Sequence, residues 1–338
     1  MNIILPIQYP CIVDCFSGVA DNVSIYMNYP ESYMPLLIAN HFLISYSKRL
    51  GHVGYNWKYY NDDYGHFIDC RKEVQDLGVI NAIIKYISSG NYIKLILDFY
   101  YINNSPWYKK EKNTLHWIPM IIGFDDEKKI VYLCDNLING KFQIIEVPFW
   151  EIENARLGHE NDIFDCCYYD KEINYELTLD YIKLLIKSYL DSDCYIEKKF
   201  HPSFNDTEHG EEMDEKELCG IIMYDIMLKQ AEDSLNNFEK HDVRTFHIMV
   251  EHNRICCKLV EWLYKSNYIK KNKYNELSNI KKQYEELLIY SNIIENLYIK
   301  LCITFNIDLF HKIKIKLFEM KDKEIRTLKE LLTILNNE

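Results

Sequence analysis

The sequence predicts an α+β domain over residues 1–165 followed by an α-helical bundle domain over residues 166–338. Three observations predict it. The first half carries one helix-period segment near its start and then several short, apolar, β-prone runs. Beyond Tyr175 the apolar spacing is helical almost throughout. The length, 338 residues, suits two domains, because globular domains usually run to about 100–200 residues. A hydrophobic content of 48% is enough for two cores.

Taken in order, the chain opens on a stretch with Pro6, Gln8 and Pro10 that has no regular pattern. From Phe16 the apolar residues Val19, Ala20, Val23, Tyr26 and Met27 recur at helical spacing and make one face. Asp14 is a natural N-cap, which puts Cys15 in the first turn. The partial positive charge of a helix start lowers a thiol's pKa, so Cys15 is expected to be partly thiolate near neutral pH. Tyr29–Ser32 is a break, and Met34–Tyr46 fits either a helix or a buried strand. Leu50–Asp69, rich in Gly, Tyr, Asn and Asp, reads as loop. Val74–Ser89 reads as a second helix on Leu77, Ile80, Ile84 and Ile87, and Tyr92–Tyr101 as a central strand.

The segment Leu115–Asn136 reads as a hairpin: two apolar runs about the polar group Asp125–Lys129. Alternation puts His116 on the face of Ile118, Met120 and Ile122. A two-residue loop places His116 opposite Asp135, and a loop over Asp125–Lys128 places the two on a diagonal. A five-residue loop would reverse the parity and separate them. Lys141–Val147 reads as a further strand. After it come helices over Leu177–Tyr189, Glu217–Phe238, Asp242–Lys265 and Asn272–Cys302, then a terminal pair across Asp308–Leu335. The acidic stretch Asp191–Glu215 interrupts them.

Net charge of −12 argues against general nucleic-acid binding, which needs a basic surface. The start of the chain lacks the basic n-region of a secretory signal, and no stretch reads as a bilayer span, so no membrane partner is expected. The 11 cysteines include no CxxC pair and are read as reduced thiols of a cytoplasmic protein. No metal or cofactor is expected. His247 and His252 stand five apart with Glu251 between, a spacing that makes two histidines diverge around a helix. There is no P-loop, dinucleotide fingerprint or nucleophile-elbow serine.

A cysteine at a helix start, with a distant histidine and then a carboxylate on adjacent strands, is the arrangement of papain-like enzymes. In that arrangement Cys15 is the nucleophile, His116 its base and Asp135 the orienter of the imidazole. An upstream glutamine usually donates to the oxyanion, and Gln8 is available for that role.

Asp14-Cys15-Phe-Ser-Gly-Val-Ala, followed by a helix, resembles the nucleophile segment of bacterial papain-like, double-glycine-type peptidase domains. His116-Trp-Ile-Pro-Met-Ile-Ile-Gly-Phe-Asp-Asp, continuing to Asp135, resembles their His…Gly-Tyr-Asp…Asp segment. The two-part layout is similar to the butirosin biosynthesis protein H family found with natural-product assembly lines. The resemblance covers the first half by motif and the second by helical character. It implies a papain-like domain and acyl transfer through Cys15, from a carrier-protein thioester or an amide to an amine. An acyl or peptidyl carrier protein is then the implied partner, with a small amine or peptide as co-substrate. Phosphopantetheine enters only as part of that carrier. Two departures stand: Pro10 lies between Gln8 and Cys15, and Phe16 stands where the family has Gly. Two other readings use the same residues, a peptidase or amidase with water as acceptor and a non-catalytic scaffold that keeps the papain-like shape.

Overall fold

The computed structural model describes residues 1–6, 34–42, 44–47, 52–55, 67–110, 115–116, 119–137, 142–157, 166–169, 177–193, 218–236 and 242–338. In chain order the strands are β1 (Asn2–Ile4), β2 (Ile44–Ser47), β3 (His52–Tyr55), β4 (Phe67–Asp69), β5 (Ile93–Leu95), β6 (Leu97–Asp98), β7 (Leu115–His116), β8 (Met120–Asp125), β9 (Ile130–Asn136), β10 (Phe142–Pro148), β11 (Cys166–Tyr169) and β12 (Leu218–Cys219). The helices are α1 (Met34–His41), α2 (Arg71–Leu77), α3 (Val79–Ser88), α4 (Phe149–Leu157), α5 (Leu179–Asp191), α6 (Met223–Asn236), α7 (Arg244–Lys265), α8 (Tyr274–Thr304) and α9 (Ile307–Asn336). The architecture is α+β.

Two compact units interleave along the sequence: Met1–Tyr33 with Tyr64–Asn174, and Met34–Asp63 with Tyr175–Glu338. A single cut after residue 165 therefore does not separate them. The physical reason lies in the early segment. Helix α1 packs on α7, and β2 pairs with β12 as well as with β3, so this stretch belongs with the helices that follow.

The first unit is an antiparallel sheet in the order β10-β9-β8-β5-β11-β4, with β1 added on β8. Its core row is Ile93, Leu95 and Leu97 on β5 and β6, Ile121 on β8, Val131 and Leu133 on β9, and Val147 on β10. Val79, Ala82, Ile83, Tyr86 and Ile87 of α3 and Ile152 and Ala155 of α4 join the same core. A buried aliphatic side chain contributes about 1.5–3 kcal/mol, so this row and its helical cover hold the unit together. The other row, Met120, Ile122 and Cys134, is also buried.

The strand expected over Tyr92–Tyr101 is central, as β5, and ends in a 3-10 turn at Phe99–Tyr101, where Asp98 accepts the Tyr100 N–H at 3.0 Å. The segment Met34–Tyr46 is helix first and strand second. Leu50–Asp69, expected as loop, contains β3 and β4. The expected helix Val74–Ser89 is two helices, broken at Gly78, whose φ of +80° ends α2 in a conformation that favours glycine.

In the second unit α8 and α9 form a long antiparallel hairpin, with α7 packed on α8. The expected terminal pair is one helix of 30 residues, because nothing between Ile307 and Asn336 is Gly or Pro. Phe305 closes α8 with φ +53°, and Asn306 caps α9 by accepting the Asp308 N–H at 2.8 Å. By length and composition Lys271–Thr304 is apolar enough to cross a membrane, contrary to the expectation that no stretch is. Its inner face is packed in the bundle, on Leu277, Ile280, Tyr284, Leu287, Ile294, Tyr298 and Leu301.

Candidate functional site

Gln8, Cys15 and the helix expected from Phe16 lie outside the described residues. The backbone of His116 and the whole of Asp135 are described, both in the first unit.

The simple hairpin expected here is modified in two places. The turn is Asp126–Lys129, with Asp125 paired to Ile130, and an irregularity between Ile121 and Gly123 then shifts the register by one. Ile121 consequently pairs with Leu133 and Met120 with Cys134. Strand β8 begins at Met120, so His116 does not continue its alternation. His116 lies instead on the separate strand β7, as the Cα partner of Leu97. A second offset separates this pairing from the Lys94–Met120 pairing of β5 and β8. Leu97 joins the same buried core as Ile93 and Leu95, and Ile93 pairs with Ile121, which pairs with Leu133. Asp135 stands two residues beyond Leu133, on the same row. Strands β6 and β7 form their own two-stranded sheet, so among the described residues no strand pairing links the His116 position to Asp135 on β9, and the expected cross-strand pairing of the two is not formed.

Asp135 is 1% exposed and its Cα partner on β10 is Gln143. A buried carboxylate at the end of an apolar row is costly unless hydrogen-bonded. Two neighbouring residues of the motif have structural duties. A Cβ on Gly123 would lie 2.4 Å from the Ile3 carbonyl oxygen, so β1 can pair there only against glycine. Asp125, 5% exposed, accepts the N–H groups of Glu127 at 3.0 Å and Lys128 at 3.1 Å and so forms the turn.

The described free cysteines are Cys70, Cys134, Cys256, Cys257 and Cys302, all buried. Cys219 is disulfide-bonded, which corrects the expectation of reduced thiols at that position. Burial, then the Asp135 carboxylate, pushes the Cys134 thiol up, and Cys134 donates to the Met120 carbonyl at 3.4 Å. Burial raises Cys257 to about 12 and also raises Cys302. None of these three is an activated nucleophile.

The second unit holds a fully buried polar cluster that no motif or spacing in the sequence announces. His252 Nδ1 faces the His41 carbonyl oxygen at 2.8 Å, and Nε2 faces Glu324 Oε1 at 2.8 Å. With an acceptor at each nitrogen, the ring is an imidazolium donating to both. Glu324 also accepts from the Tyr224 hydroxyl at 2.5 Å and the Tyr189 hydroxyl at 3.4 Å, and the Tyr189 ring stacks on His252 at 4.8 Å. Burial pulls the His252 pKa down, but Cys256, 3.5 Å away, and Glu324 outweigh it, and the net direction is well up. His41, its ring 6.3 Å from that of His252, is pushed well down by burial and then by the His252 charge. At the centre of the cluster His252 and Glu324 form a buried ion pair, hydrogen-bonded to Tyr224 and Tyr189.

His247 and His252 do diverge. His247 faces Glu295 of α8 at 2.7 Å, while His252 points to Glu324 of α9. Beside them Glu251, 1% exposed and ion-paired with Arg254, is raised to about 7, chiefly by burial. Among the described residues no group of His, Cys, Asp and Glu is arranged to hold a metal ion. In comparisons with known proteins, no family model, no curated protein and no solved structure matches the chain.

Proposed function

We propose that the chain is a cysteine-dependent acyl-transfer enzyme of papain-like architecture, with Cys15 as nucleophile, His116 as base and Asp135 as orienter. The structural observation that supports the reading is Asp135, a carboxylate 1% exposed near the end of β9, in the same compact unit as His116. The motif resemblance around Cys15 and His116 supports it from the sequence.

The chemistry balances without a metal or nucleotide. His116 takes the proton of the Cys15 thiol, and the thiolate attacks the carbonyl carbon of a thioester or amide donor. The tetrahedral intermediate expels the donor's thiol or amine, which takes the proton back from His116. An amine then attacks the acyl-cysteine, His116 accepts its proton, and amide release returns the Cys15 thiol. Asp135 accepts the imidazole's other N–H and fixes its tautomer. Gln8 is the candidate donor to the oxyanion. A carrier protein's phosphopantetheine thioester is the donor this reading favours, in natural-product assembly.

The test is to incubate the protein with acyl-pantetheine thioesters and locate any acyl adduct by peptide mass. An adduct on Cys15 that is lost in Cys15→Ala and discharged faster by amines than by water supports acyl transfer. Discharge by water alone points to the hydrolase reading, and no adduct from any thioester or activated amide opposes both.

A further inference from the structure

We propose that the turn of the α8–α9 hairpin is a docking tip for an anionic lipid surface. Six consecutive residues there, Ile303 to Asp308, are exposed, and three of them are large and apolar: Ile303 at 72%, Phe305 at 41% and Ile307 at 51%. Ile299, one turn before Ile303, and Ile315 and Phe318, on the same face of α9 as Ile307, extend the apolar surface down both helices. The turn is fixed rather than loose, since Phe305 closes one helix and Asn306 caps the next.

Charge selects the partner. Between Leu297 and Phe318 the sequence holds Lys300, Lys312, Lys314 and Lys316 against one acidic residue, Asp308, in a chain of net charge −12. Lys316 is held over the Tyr290 ring at 5.2 Å. Farther from the tip the lysines are neutralised: Lys321 pairs with Asp225 and Lys323 with Glu286. Within the hairpin, the lysines without an ion-pair partner among the described residues are therefore concentrated toward the apolar end. An apolar point with lysines behind it suits a bilayer interface, where isoleucine and phenylalanine enter the acyl boundary and lysines reach the phosphates. A second copy of the chain fits less well, because a two-fold contact sets the same lysines against themselves.

The test uses the full chain with phosphatidylcholine vesicles, with and without phosphatidylserine. Co-sedimentation that requires phosphatidylserine and weakens with salt is expected. Replacing Lys312, Lys314 and Lys316 by Gln should lower the partition coefficient about fivefold per lysine. Ile303→Ser with Phe305→Ser should abolish binding while leaving the thermal unfolding temperature unchanged, and Phe305→Trp should shift its emission to the blue on binding. No vesicle binding, or binding indifferent to these replacements, overturns the proposal. So does an oligomer that ignores vesicles and dissociates in Ile303→Ser/Phe305→Ser, or capture of an acidic protein in place of vesicles.

Discussion

Replacing Glu324 tests the reading of the buried ion pair. Its carboxylate is 0% exposed and accepts from the His252 imidazolium, Tyr224 and Tyr189. Glu324→Ala leaves a buried cation and two hydroxyls without that acceptor, and breaking a buried pair in this way costs about 3–5 kcal/mol. Glu324→Gln keeps the volume and one carbonyl oxygen but loses the charge, for about 1.5–3 kcal/mol. The pH dependence carries the sharper test. The folded-state pKa of His252 lies above its unfolded value of about 6.5. Its stabilisation is therefore complete below about pH 6.5 and is lost as pH rises towards the folded pKa, at up to about 1.4 kcal/mol per pH unit. In Glu324→Gln the Glu324 share of that decline is removed, so the gap between the two proteins narrows as pH rises above about 6.5. Urea unfolding followed by far-UV circular dichroism measures it. Parallel curves for the two proteins across that range would refute the ion pair.

Three further outcomes follow from the geometry. Gly220→Ala should destabilise the second unit by about 1–3 kcal/mol in the same assay, because φ is +68° and the added Cβ would lie 2.2 Å from the Tyr189 carbonyl oxygen. Asp125→Ala should cost about 1–3 kcal/mol by removing the carboxylate that accepts the exposed turn's N–H groups at Glu127 and Lys128, and thermal unfolding reports it. His41, held neutral in the fold, contributes stability that is present above its unfolded pKa and lost as pH falls below about 6.5; His41→Asn should flatten that acid-side decline in urea titrations.

What the sequence revealed is the part that local pattern controls. The apolar runs of β8 and β9, the turn on Asp125 and the helical stripe of α7 follow from period and turn chemistry. The register did not, since the one-residue offset at Ile121/Gly123 lies where β1, distant from it in sequence, passes close to Gly123. The interleaving of the units was hidden for the same reason: α1 is apolar and short, and only its packing on α7 assigns it. The buried cluster draws on residues as far apart as His41, Tyr189, His252 and Glu324, which no spacing rule links. Pattern did separate His247 from His252, because five residues exceed one helical turn.

The central claim is an activated Cys15 served by His116 and Asp135. Its most direct test is intact-mass analysis after an iodoacetamide-type probe at about pH 6, where only a thiolate of lowered pKa reacts quickly. Wild type, Cys15→Ala, His116→Ala and Asp135→Asn are compared. The expected result is rapid labelling at one site, absent in Cys15→Ala and slowed in His116→Ala and Asp135→Asn. Slow labelling scattered over other cysteines, and unchanged by any of the three substitutions, would contradict it.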